Sequence, residues 1–254
     1  MSSDGGGSDL DDVRGLNLVT PGRPPSARLS RLRQQLRTAD AQIAVELDDH
    51  EAEPEACARL RIQGQEQLAN RLYEAAEETF LDALDEGFKP FQDFFCPFDY
   101  FCWQAAVNIV NCQLFLRRLE AADETAAALL EMYSQQPEHA LHYLCATQRG
   151  AIAAERHALA VAALATDRAA AEAQTALDWA RAAYRWQLEH RGRADGLRAY
   201  NLVVALLRAG AHADALELYA AHRTDEAFLT WCGQGEHAEQ LAALAAELPL
   251  GPGN

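Results

Sequence analysis

Apolar residues recur at intervals of three and four positions along most of this chain of 254 residues. That spacing places them along one face of a helix, whereas a half-buried strand would show an alternating pattern. Alanine and leucine are abundant, while glycine and proline are sparse after the first 30 positions. Because alanine and leucine are strong helix formers, the pattern predicts an all-α protein.

The same pattern divides the chain into segments. Residues 1–26 are rich in glycine, serine, aspartate and proline, which is typical of a disordered tail. Residues 27–248 are predicted to form one helical repeat domain, and residues 249–254 a frayed end. Within the domain we predict a capping helix over 27–50, hairpins over 55–90, 103–137, 197–223 and 226–248, and an irregular hairpin over 139–190.

The clearest predicted hairpin lies between residues 55 and 90. Its apolar or small positions are Leu60, Gly64 and Leu68 in the first helix, then Tyr73, Ala76, Phe80, Ala83 and Leu84 in the second. The small residues let two helix backbones approach closely, and Pro90 cannot continue the second helix. This hairpin resembles the tetratricopeptide repeat, a unit of about 34 residues, with Gln67 where that repeat usually has an aromatic residue.

The resemblance implies a right-handed superhelical array of such hairpins, an α-α superhelix, over about residues 55–248. Members of the family mostly bind other proteins, laying a peptide along a concave groove lined by the first helix of each hairpin. It therefore implies a non-catalytic adaptor or chaperone with a protein or peptide partner. The groove would present Arg61, Gln65, Asn108, Asn111 and Asn201. The amides would bond the partner's backbone, and Arg61 would pair with an acidic group.

Seven aromatic residues fall within the thirteen positions from Phe91 to Trp103. So much apolar surface is either buried against the array or exposed as a patch for a partner. An exposed patch would favour an alternative function, a regulatory sensor for a small ligand or a signalling peptide. A second alternative is an acidic secretion-type chaperone of the tetratricopeptide class. The patch would comprise Phe94, Phe95, Phe98, Tyr100, Phe101 and Trp103.

The formal net charge is −16, and Lys89 is the single lysine. Such a chain lacks the clustered positive charge that sequence-independent nucleic-acid binding needs, so we expect no nucleic-acid partner. The net charge indicates a soluble acidic surface. Two more specific interpretations of the charge are a preference for basic partners and a salt-adapted host.

The six cysteines include no C-x-x-C pair and mostly lie among apolar helical neighbours. This is typical of buried free thiols in a reducing compartment. The first residues lack the charged-then-apolar order of a signal peptide, and no stretch approaches the roughly 18 apolar residues of a bilayer span. We therefore expect a cytoplasmic protein without a membrane span.

Sequence signatures of catalysis are sparse. The chain has no glycine-rich phosphate loop, no G-x-S-x-G and no H-E-x-x-H motif. His139, His142 and Cys145 follow one another at intervals of three on one helix, which defines a third hypothesis, a metal-dependent enzyme. Their spacing matches no recognised zinc signature, so we expect no catalytic site, cofactor or metal.

Overall fold

The computed structural model describes residues 55–88, 102–134, 137–234 and 237–248. These stretches contain ten α-helices and no β-strand, so the described part of the chain is all-α, as the apolar spacing predicts. The helices are α1 (Glu55–Ala69), α2 (Tyr73–Phe88), α3 (Cys102–Phe115), α4 (Leu119–Met132), α5 (Leu141–Ala162), α6 (Thr166–Arg191), α7 (Gly196–Arg208), α8 (His212–His222), α9 (Glu226–Gln234) and α10 (Ala238–Ala246).

Several predicted features lie outside the described residues. They are the tail over 1–26, the capping helix over 27–50, the end over 249–254, and Phe94, Phe95, Phe98, Tyr100 and Phe101 of the aromatic patch. Trp103, the last member of that patch, is the second residue of α3.

Four helix pairs are joined by the same three-residue turn. Its middle residue has a positive φ in every case: 60° at Arg71, 57° at Arg117, 57° at Leu164 and 75° at Gly210. The next residue donates its N–H to the carbonyl five positions back, at 2.8 or 2.9 Å, in the pairs Leu72–Gln67, Arg118–Gln113, Ala165–Ala160 and Ala211–Leu206. This Schellman arrangement satisfies carbonyls at the end of the first helix and reverses the chain. The first four hairpins therefore share one kind of connection.

The second helix of each of these hairpins has a buried alanine at its fourth position, namely Ala76, Ala122, Ala169 and Ala215. The contact between the two helices is tightest in the first hairpin. A Cβ atom added at Gly64 would lie 2.7 Å from the ring of Phe80, which is itself fully buried. Gly64 therefore lets α1 approach α2 closely, as the sequence pattern predicts.

Helices that follow one another in the chain pack together from α1 to α8, and α9 packs against α10. Contacts also join α1 to α3, α3 to α5, α7 to α9 and α8 to α10. The buried apolar side chains form two main cores, one from Cys57 to Ile152 across α1–α5 and one from Leu177 to Leu244 across α6–α10. A small third cluster of Tyr143, Ala146 and Ala183 joins α5 to α6. The long α5–α6 pair thus connects the two cores.

The far end of this pair, which we call the α5–α6 tip (residues 153–176), contributes to none of these clusters. Its two helices meet through the buried alanines Ala153, Ala160, Ala169, Ala173 and Ala176. Around that seam it exposes larger apolar side chains, with Leu159 41% exposed, Val161 52% and Leu164 86%. The apolar contacts of the tip are therefore mainly those between its own two helices.

The cysteines whose side chains are described are free and buried: Cys57, Cys112, Cys145 and Cys232. Burial raises the pKa of the Cys145 thiol to about 12 and that of the Cys232 thiol to about 11. Burial, together with the charge of Glu77, raises the pKa of the Cys112 thiol to about 12. These thiols are therefore protonated and unreactive at neutral pH. Among the described helices, none is both long enough and apolar enough to span a bilayer.

Candidate functional site

The five residues expected to line a groove lie on first helices of hairpins. Arg61 and Gln65 belong to α1, Asn108 and Asn111 to α3, and Asn201 to α7. Gln65 is exposed, and the other four are partly buried. The structure brings the two α3 amides together, because Asn111 Nδ2 donates to Asn108 Oδ1 at 3.4 Å.

A third amide, which the sequence interpretation missed, holds this pair in place. Gln148 on α5 is 7% exposed, and its Nε2 donates both to Asn111 Oδ1 and to the Val107 carbonyl, each at 2.8 Å. Its Oε1 is buried and has no hydrogen-bond partner among the described residues. Because Asn111 Oδ1 is occupied and Asn108 Oδ1 accepts from Asn111, Asn108 Nδ2 is the side-chain donor of this row that no described residue uses. We call Asn108, Asn111 and Gln148 the amide row.

An aromatic pair continues the surface of first helices beyond Asn201. The rings of Tyr200 on α7 and Trp231 on α9 lie 6.2 Å apart, and Trp231 is 43% exposed. Tyrosine and tryptophan supply rigid contact area at low entropic cost, and such residues are enriched in protein interfaces. The sequence did not indicate this pair, because its two residues lie in different helices and neither is adjacent to another aromatic residue in the chain.

A buried charged group connects α2 to the second hairpin. Glu77 is 6% exposed, and its carboxylate accepts from Gln113 Nε2 at 3.1 Å and from Arg118 Nη1 at 2.5 Å. Thr125 on α4 is also buried, and its hydroxyl donates to the Ala121 carbonyl at 2.9 Å. With its charge paired and its oxygens bonded, Glu77 is suited to aligning helices rather than to chemistry.

A second ionic contact joins α4, α5 and α6. Asp123 accepts from Arg149 Nε at 2.7 Å and from Arg156 Nη1 at 3.2 Å. The guanidinium of Arg149 also lies over the Trp179 ring, 4.3 Å from its centroid. Arg149 is therefore held between a carboxylate and an aromatic face, which fixes α5 against α4 and α6.

The residues of the metal-enzyme hypothesis are engaged in packing. The His139 ring lies 4.3 Å from the Tyr133 ring, and His142 Nε2 lies 2.8 Å from the Tyr133 carbonyl oxygen. Burial lowers the pKa of His139, and the neighbouring His142 lowers it further. Cys145 is fully buried. Within the described ranges no group of three or more His, Cys, Asp or Glu side chains is placed to hold a metal ion.

Comparisons with protein-family models, with curated proteins and with solved structures found no match. The functional argument therefore depends on this chain's own residues. The features that stand out are the amide row, the Tyr200–Trp231 pair with its exposed tryptophan, and the recurring helical hairpin.

Proposed function

We propose that the chain is a non-catalytic protein-interaction adaptor or chaperone of the tetratricopeptide type. Its hairpins would form a right-handed superhelical array in which α1, α3, α5, α7 and α9 line one concave face. The observation that carries this proposal is the packing of α1 on α3, α3 on α5 and α7 on α9, since first helices stacked in this way share a surface. The four matching turns support the same repeat.

The amide row supplies the central contact in this proposal. Gln148 fixes Asn111, and Asn111 in turn fixes Asn108, so the Asn108 Nδ2 donor is oriented before a partner arrives. A donor oriented in advance loses less side-chain entropy on binding. It would donate to a backbone carbonyl of the bound peptide. Arg61 and Gln65 on one side and Asn201 on the other would extend the contact along the groove.

The chemical character of the chain limits its partners. With a net charge of −16 it is poorly suited to nucleic acid, so the proposed partner is a protein or peptide. The buried free thiols are typical of a reducing compartment, which supports a cytoplasmic location.

Affinity capture from the native host's lysate tests the proposed function. Wild-type protein would be compared with an Asn108→Ala/Asn111→Ala variant. The control is Asn70→Ala, which removes an exposed amide in the turn between α1 and α2. We expect one protein to be retained by the wild type and by Asn70→Ala but lost with the double variant. The double variant also removes one bond to Gln148, at a cost of about 1 kcal/mol, so its helical circular dichroism is the check on folding. Equal capture by all three proteins would rule out the amide row as the binding site.

A further inference from the structure

The connection between α6 and α7 is positively charged in an otherwise acidic chain. Residues 181–198 contain five arginines and only two acidic residues, against a net charge of −16 for the whole protein. These arginines come from the end of α6, the connecting loop and the start of α7. The charge of this region is therefore opposite in sign to that of the molecule.

Two of the arginines lie over an aromatic floor. The rings of Tyr143 on α5 and Trp186 on α6 are 4.9 Å apart, and Trp186 Nε1 donates to the Pro137 carbonyl at 2.6 Å. The Arg191 guanidinium lies 5.1 Å from the Tyr143 ring centroid, and that of Arg198 lies 4.8 Å from the same centroid. Cation–π contacts hold both guanidinium groups in place. We call Tyr143, Trp186, Arg191, Arg193 and Arg198 the arginine corner.

The local carboxylate, Asp195, neutralises one arginine of this corner, Arg198, and leaves the other two without an ion pair in the described ranges. Asp195 caps α7 by accepting from the Arg198 backbone N–H at 2.9 Å, and it also accepts from Arg198 Nη1 at 3.0 Å and from Gln187 Nε2 at 2.8 Å. Burial alone would raise the pKa of Asp195, but these hydrogen bonds and the Arg198 charge outweigh it and hold that pKa below its usual value. Asp195 is thus an ionised carboxylate that is paired with Arg198. Arg191 and Arg193 are exposed and form no ion pair with any residue in the described ranges.

We propose that the arginine corner binds an acidic peptide segment of a protein partner. Guanidinium groups form charge-assisted and often bidentate hydrogen bonds with carboxylates, and the partly exposed Trp186 ring offers apolar contact beside them. A nucleic acid is a poorer fit. Tight nucleic-acid binding draws on about 6–10 phosphate contacts, and a long polyanion would be repelled by the rest of the chain. A short acidic segment needs only the few positive groups present here.

The test uses the full chain and a fluorescein-labelled peptide of alternating glutamate and glycine, titrated by fluorescence polarisation at low ionic strength. The test variant is Arg191→Gln/Arg193→Gln. The matched control, Arg168→Gln/Arg223→Gln, removes two exposed arginines that also lack an ion pair with described residues, so the net charge changes equally. Arg193→Gln alone leaves the cation–π contacts intact, so it still tests the site if the double variant does not fold.

We expect saturable binding to the wild type, a Kd about tenfold higher in the test variant, and an unchanged Kd in the control. Arg193→Gln should give an intermediate increase. Absence of saturable binding, or equal weakening in test and control variants, would overturn the proposal. Tighter binding of labelled oligothymidylate, lost in the same variant, would overturn it in favour of a nucleic-acid site. Because the amide row is unchanged in these variants, the result is independent of the proposed groove.

Discussion

Single buried polar side chains connect neighbouring hairpins in this protein. Glu77 bonds Gln113 across the first two hairpins, and Gln148 bonds Asn111 across the second and third. A buried polar group that loses its partner costs about 1–3 kcal/mol, so each bond penalises any sliding of one helix past another. Gln148 therefore fixes the alignment of α5 on α3, which the proposed groove requires, while Glu77 fixes α2 against the second hairpin.

Small residues set the distance between helices at the same scale. We expect Gly64→Ala to destabilise the protein, because its Cβ would lie 2.7 Å from the Phe80 ring. Overpacking of this kind costs about 1–3 kcal/mol, and the better helix propensity of alanine returns at most about 1 kcal/mol. The measurement is the urea midpoint.

Gly233→Ala is the matched control, because Gly233 is an exposed helical glycine with open space around it. In Gly233→Ala the higher helix propensity of alanine is gained without overpacking, so we expect a small increase in stability. A Gly64→Ala protein as stable as the Gly233→Ala protein would show that α1 and α2 do not pack as described.

At the scale of the element, the turn between the two helices is the feature that recurs in four hairpins. Three of its four positive-φ residues are not glycine, and that conformation costs about 1–2 kcal/mol in a residue with a side chain. The turn nevertheless recurs, because the hydrogen bonds and the buried alanine that follows it reward the same geometry in each hairpin. Among the described residues Leu164 is the most exposed of the large apolar side chains, so its side chain contributes little in return.

Two substitutions, one that places glycine in the third turn and one that removes it from the fourth, test whether strain at the positive-φ position limits stability. Leu164→Gly should raise stability by up to about 1 kcal/mol, because relief of strain exceeds the entropy that glycine adds to the unfolded chain. Gly210→Ala should lower it by about 1 kcal/mol, since alanine is strained at a φ of 75°. Thermal melting of both variants gives the comparison. A loss of stability in both would mean that the Leu164 side chain makes contacts worth more than the strain.

The sequence predicts the helices well, because the apolar spacing of an amphipathic helix is a local property. It predicts a hairpin over 139–190, but no glycine or proline fixes the position of that third turn, where Leu164 stands among alanines. It also cannot show that Gln148 bonds Asn111, because the two residues are 37 positions apart and meet only when α5 packs on α3. The arginine corner was missed for the same reason: Tyr143 lies far along the chain from Arg191 and Arg198.

At the scale of the molecule, two apolar cores are connected by the long α5–α6 pair. Helices pack mainly on near neighbours in the chain, which is how hairpin arrays distribute stability along their length. The proposed groove and the arginine corner use different residues, so one partner could contact both, or two partners could bind independently.

The most direct test of the central claim is hydrogen–deuterium exchange of the full chain with and without the captured partner. If a peptide lies on the face formed by first helices, backbone amides in α3 and its neighbours α1 and α5 should exchange more slowly in the complex. Protection should be weaker or absent in α2 and α4. Protection confined to α2, α4 and the other second helices would contradict the account, because the partner would then occupy the opposite face of the array.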